Sequence, residues 1–163
     1  MRIFNERNYN LLRELVATDF KLRYQGSVLG YLWSLAKPML LFAVLYLFAK
    51  FLKFGAGIDY FPVYLLLGIV LWTYFVESTT QGLSSVVGRG DLLRKISFPK
   101  YIIVFSTSVS AFVNLLLNLV VVGIFMVFSG VPIYPHIVVL PLLLVELLLA
   151  ATGVSFLLSA LFV

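Results

Sequence analysis

The 163 residues are 62% hydrophobic and only 12% charged, with a formal net charge of +5, and the mean hydropathy is +1.07. A soluble domain keeps roughly a quarter of its residues charged to solvate its surface, so this composition excludes an ordinary soluble enzyme and points to an integral membrane protein. The basic excess flanks apolar runs instead of forming a nucleic-acid footprint, and the absence of cysteine excludes disulfide frameworks and thiolate metal sites.

The first 28 residues are polar and mixed in charge, with no apolar stretch ahead of a small-residue cleavage site, so no cleavable signal is expected. Within residues 8–25, Leu12, Leu15, Val16 and Phe20 fall on one helical face, while Arg13, Glu14, Lys21 and Arg23 lie mostly elsewhere. That pattern predicts an amphipathic helix in the headgroup region, with packing on a partner as the alternative. Gly26 and Ser27 break it. Four apolar spans follow, at about 30–52, 60–87, 101–128 and 137–163. Each is long enough to cross a hydrocarbon core of about 30 Å at ~1.5 Å per residue. The expected fold is all-α, a polytopic transmembrane helix bundle over residues 29–163 preceded by the amphipathic segment 1–28. The chain ends on "LLSALFV" with no polar tail, which leads to the expectation that more chain follows.

Basic residues orient the spans. Arg2, Arg7, Arg13, Lys21 and Arg23 precede the first, and Arg89, Arg94, Lys95 and Lys100 lie between the second and third. The opposite side has Lys50 and Lys53 in the first turn and only His136 in the last. The balance puts both termini in the cytoplasm.

An ionisable group inside a span is costly and is by default a functional hypothesis. Lys37 lies roughly 10 Å into the first span by helix rise, where its stem can snorkel back to the headgroups. Glu77, on the returning second span, falls near the same depth, so the two are expected to approach one another or share a polar cavity. Pro38 removes a backbone donor beside Lys37. Glu146 lies about ten residues into the fourth span, and Asn118 of the third is expected near its depth, with Asn114 one turn deeper. A hydrogen bond from such an amide would make Glu146 interhelical glue; a place in a polar path is the other reading. The small polar residues Ser106, Thr107, Ser108 and Ser110, with Thr152, Gly153, Ser155 and Ser159, read as packing surfaces.

The loop "GRGDLLRKISFPK" carries Leu92, Leu93, Ile96 and Phe98 between basic ends and closes on Pro99. It suits a short amphipathic helix that lies on the bilayer or presses into a partner's groove. There is no GxxxxGK[ST] loop, HExxH or GxSxG motif. Energy for any transport is therefore expected from another subunit.

The amphipathic start, then "RYQGSVLGYLWSLAKP", then "DLLRKISFPK" after the second span, resembles the membrane subunit of ABC transporters that export bacterial surface polysaccharides. The likeness is carried by Arg23, Tyr24, Ser27, Leu29, Gly30, Leu32, Trp33 and Pro38, and by Leu92, Leu93, Lys95, Phe98 and Pro99. It implies a permease of six spans, four of them present here, in the bacterial cytoplasmic (inner) membrane. Two copies would work with two ATP-binding subunits, which hold the ATP and magnesium; no cofactor or metal is expected in this chain. The substrate implied is a lipid-linked glycan: O-antigen, capsule or teichoic acid. The N-terminal helix would act as a gate, with Arg23, Tyr24, Lys37 and Glu77 at the substrate entrance. Asp91, Leu92, Leu93, Arg94, Lys95, Ile96, Phe98 and Pro99 would form the helix that couples to the ATPase. Tyr31, Trp33, Phe42, Tyr46, Trp72 and Phe75, together with Glu146, are the candidates for the translocation path, where rings can stack on sugars. Two other readings stand beside it. One is a permease for small molecules such as drugs or haem. The other is a membrane-embedded enzyme using His136, Glu146 or Lys37, whose different expected depths argue against a common active site.

Overall fold

The structure, a computed structural model, describes residues 12–18, 21, 28–88, 100–132 and 135–162. The four expected spans are four long helices: α1 (Val28–Phe51), α2 (Phe61–Gly88), α3 (Lys100–Phe128) and α4 (Leu140–Phe162), the last entered through a 3-10 turn at Pro135–Val139. No strand occurs among the described residues. Ahead of them residues 12–18 are helical, with Leu12, Leu15 and Val16 partly covered and Arg13 and Glu14 exposed.

The ends of the helices follow from local chemistry. Pro62 and Pro141 stand second in α2 and α4, inside the first turn, where a missing N–H leaves no bond unmade. At the end of α1 the amide of Phe54 donates to the Ala49 carbonyl at 2.8 Å and that of Lys53 to Lys50 at 3.3 Å. This is a Schellman cap whose left-handed residue is Lys53, at φ 56°. The end of α3 repeats it, with Val131 donating to Met126 at 3.3 Å and Gly130 to Val127 at 3.1 Å. There the left-handed residue is a glycine, at φ 66°.

α2 lies at the centre, packed against each of the other three. Its Leu66, Val70 and Tyr74, one turn apart, meet Ala111, Leu115 and Val122 of α3 and Ala151 of α4. α1 contributes Met39 and Phe42 at the edge of this cluster, and α1 and α4 remain far less covered than the two central helices.

Toward the C-terminal end of α2 the core changes character. Ser78, Ser106, Ser108 and Ser155 are almost completely buried. The Ser155 hydroxyl lies 3.0 Å from the Ser78 carbonyl and 2.7 Å from that of Ala151, and its single hydrogen serves both. Ser78 in turn donates to Ser108 at 3.4 Å. In a span every polar group needs an internal partner. The helix supplies most of them: Ser106 donates to the Ile103 carbonyl at 2.8 Å, Thr107 to Val104 at 2.8 Å and Ser110 to Ser106 at 2.9 Å. Small side chains then let the backbones close up. A Cβ at Gly82 would sit 2.6 Å from the Ser155 Cβ and 3.2 Å from its Cα, so α2 and α4 touch where only glycine fits.

Candidate functional site

α1 and α2 do not pack along their whole length. On α1, Trp33, Lys37 and Leu41 recur every four residues, and on α2, Trp72, Val76 and Thr80 do the same, so each helix offers one stripe to a shared groove. The groove encloses about 620 Å³, with Asn114 of α3 reaching its wall. That size lies within the range of small-molecule sites, roughly 300–1,000 Å³.

Glu77 is the fixed point of this groove. Its Oε2 accepts a hydrogen bond from Asn114 Nδ2 at 2.9 Å and its Oε1 one from Gln81 Nε2 at 3.0 Å. Both oxygens are thus oriented, one by a neighbouring helix and one by the next turn of its own. Asn114 is held in turn, since Asn118 Nδ2 donates to its backbone carbonyl at 2.9 Å. Lys37 lines the same groove from α1 and is exposed. A cation and an anion therefore border one cavity from opposite helices. Pro38, next to Lys37, is buried against the inner wall; it cannot give the Ser34 carbonyl the usual helical donor.

Two indoles complete the groove. Trp33 is 67% and Trp72 64% exposed, one from each helix, and Trp72 stacks on Phe75 at a centroid distance of 6.0 Å. The remaining candidate aromatics are placed otherwise. Phe42 stacks on Tyr46 at 5.6 Å and meets the edge of Phe125 at 5.6 Å. Phe42 and Phe75 pack against the apolar core and do not line the groove. The side chain of Tyr31 lies outside the described residues, as do Arg23, Tyr24, the loop residues 91–99 and the side chain of His136.

Glu146 corrects the pairing expected for it. It is exposed on α4, and the amide of Asn118 is turned to Asn114 instead. The reason is azimuth. The packed edge of α4 runs through Ala151, Ser155 and Ser159, and at ~100° per residue Glu146 lies about 140° around the helix from Ala151. The partner that sequence reasoning missed is Asn114 for Glu77. The signal was available: counted from the loop between α2 and α3, the two residues reach similar depths. Counted from the opposite turn, Asn118 falls at the depth of Glu146, with Asn114 one turn deeper.

The arrangement offers binding groups. A carboxylate already engaged by two amides is a hydrogen-bond acceptor of fixed direction, and among the described residues no group of three or more His, Cys, Asp and Glu could hold a metal. Indole faces suit sugar rings and other flat apolar surfaces, while Lys37 offers a cation beside them.

The family described as "ABC-2 type transporter" matches residues 10–163. The chain is 32% identical over 154 residues to an O-antigen export system permease protein RfbA of Klebsiella pneumoniae, covering 94% of this chain and 59% of that protein. A second Klebsiella pneumoniae RfbA is 30% identical over 154 residues, with the same coverage of 94% and 59%. The RfbA of Myxococcus xanthus is 31% identical over 153 residues, covering 92% of this chain and 57% of the relative. The chain thus spans somewhat more than half the length of these curated relatives. No solved structure matches it.

Proposed function

The chain belongs to the ABC-2 type transporter family and is a multi-pass membrane protein; from that premise we propose that it is the permease component of an ABC exporter of bacterial surface polysaccharide. The substrate in this reading is a lipid-linked glycan, for which O-antigen is favoured by the names of the relatives. The membrane is the bacterial cytoplasmic membrane, and both termini face the cytoplasm. ATP and magnesium are held by a separate ATP-binding subunit, which docks on residues 91–99, and two permeases act together.

The observation that carries the reading at the level of residues is the groove between α1 and α2. Lys37 and Glu77 border it together with the exposed rings of Trp33 and Trp72. In the proposed orientation it faces the cytoplasmic half of the bilayer. There Lys37 meets the anionic phosphate head of the lipid carrier, and the indoles take the first sugars. Trp33 and Trp72 are the aromatics of the path that this geometry favours. Phe42 and Phe75 hold the walls.

Two measurements test the reading. Native mass spectrometry of the complete transporter, purified from its own cells in mild detergent, is expected to give two permeases with two ATP-binding subunits. A permease arriving alone would overturn the assembly and the docking role of residues 91–99. Replacing Lys37 with leucine is expected to lower surface polysaccharide about three- to tenfold, equivalent to losing ~1 kcal/mol of interaction. The assembled complex should be present in unchanged amount. Full export by that variant would remove Lys37 from the entrance.

A further inference from the structure

Beside the groove lies a second and much smaller cavity of about 10 Å³. Pro38, Thr73, Glu77 and Asn114 border both spaces, so the Glu77–Asn114 pair belongs to the lining of each. The small cavity is also lined by Tyr74 and Asn118. These are two of the three residues, among those described, that carry a buried side-chain atom without a hydrogen-bond partner: the Tyr74 hydroxyl and the Asn118 Oδ1. Tyr74 is 2% and Asn118 6% exposed, so neither atom is reached by bulk solvent. The Tyr74 hydroxyl leans toward Ser78, one turn on, without closing a bond of good geometry. Ser78 is already engaged with Ser108 and Ser155.

We propose that this cavity is a binding site for a single water molecule, held between the Tyr74 hydroxyl and Asn118 Oδ1 and in reach of the Glu77 wall. Three lines of physical chemistry converge on it. A buried polar group left without a partner is destabilised by ~1–3 kcal/mol, and two such atoms, on two residues that line one cavity, are satisfied together by one bridging molecule. The volume is at the lower limit for one water, roughly 10–15 Å³, and excludes anything larger. The two atoms also differ in what they need. The amide of Asn118 donates to the Asn114 carbonyl, which fixes its other end as oxygen, an acceptor. The Tyr74 hydroxyl has a proton to give. Water donates to the first and accepts from the second; a metal cation would leave the tyrosine proton unplaced.

The consequence is a polar thread through the bundle. From the open groove it passes through Glu77 and Asn114 to the water, and then to Tyr74 beside the serine cluster of α2, α3 and α4. This inference concerns the bundle itself and holds whatever the transporter carries.

Synchrotron hydroxyl-radical footprinting of the complete transporter in lipid nanodiscs tests it, because radicals form from bound waters as well as bulk solvent. Oxidation of Tyr74 is expected despite its burial. The signal is expected to be lost at Tyr74 in Asn118→Leu, whose side chain takes the acceptor away and fills the space, while exposed Trp72 is labelled as before. Equal labelling of Tyr74 in parent and variant, or none in the parent, would overturn the proposal. Where Asn118→Leu does not accumulate, a high-resolution density map of the parent decides. A peak at hydrogen-bond distance from both Tyr74 Oη and Asn118 Oδ1 supports the water. Ligand distances on the order of 2.4 Å would indicate a cation, and a direct bond between the two side chains would leave no site; either overturns it.

Discussion

Replacing Gly82 with leucine is expected to abolish stable accumulation of the protein, and replacing it with alanine to lower its melting temperature in detergent. The first added carbon already meets the Ser155 Cβ at 2.6 Å and Oγ at 2.9 Å, with the Ser155 Cα behind them at 3.2 Å. Rotating a side chain relieves only the second of these contacts. The other two require α2 and α4 to separate. Overpacking of a close-packed interior costs about 1–3 kcal/mol, and separation also breaks the contacts of Ser155 with Ser78. Interhelical hydrogen bonds of that kind average about 0.6 kcal/mol each in a membrane. The test of mechanism is a double-mutant cycle: Gly82→Ala should be markedly less destabilising in a Ser155→Gly background than alone. An alanine variant that melts with the parent would mean that the two helices have room to spare.

The second large effect is expected at Glu77. Glu77→Leu removes the acceptor that Asn114 Nδ2 uses, on a residue only 7% exposed, and loss of that buried bond destabilises the α2–α3 contact by ~1–3 kcal/mol. The same change strips the groove of its anion. Glu77→Gln separates the two consequences, because its amide oxygen still accepts from Asn114 while the charge is gone. Surface polysaccharide should fall about tenfold or more in both variants, equivalent to at least ~1.4 kcal/mol, but complex abundance should fall only in the leucine variant. A glutamine variant that exports like the parent would reduce Glu77 to a bracket between helices.

How far the residues foretold this architecture depends on what each inference needed. The four spans were legible because a bilayer leaves a long apolar helix little alternative, and each of the four long helices is apolar around most of its circumference. Depth was legible too, by counting from loops: Lys37 and Glu77 do border one groove. Azimuth was not. Whether Glu146 meets Asn118 turns on which edge of α4 is packed. In a helix apolar on all sides only the sparse small residues mark that edge. Ala151, Ser155 and Ser159 mark it in retrospect. The aromatics show the same limit, for Trp33 and Phe42 are both rings on α1, yet one opens to the groove and the other closes on Phe125.

The turn between α1 and α2 has a mechanical corollary. Residues 52–60 include three left-handed positions, Lys53, Gly55 and Tyr60, at φ 56°, 83° and 55°. At Gly55 the backbone presses so near the ring of Phe61 that a Cβ would stand 2.5 Å from it. Such a clasp resists bending, while the rest of α1 has few neighbours. α1 is therefore an arm fixed at this turn and steadied midway by Pro38, Met39 and Phe42. Trp33 sits eighteen residues from Phe51, about 27 Å along the arm, so a tilt of roughly 6° would swing its Cα by about 3 Å. A displacement of that size would change the width of the groove at its distant mouth.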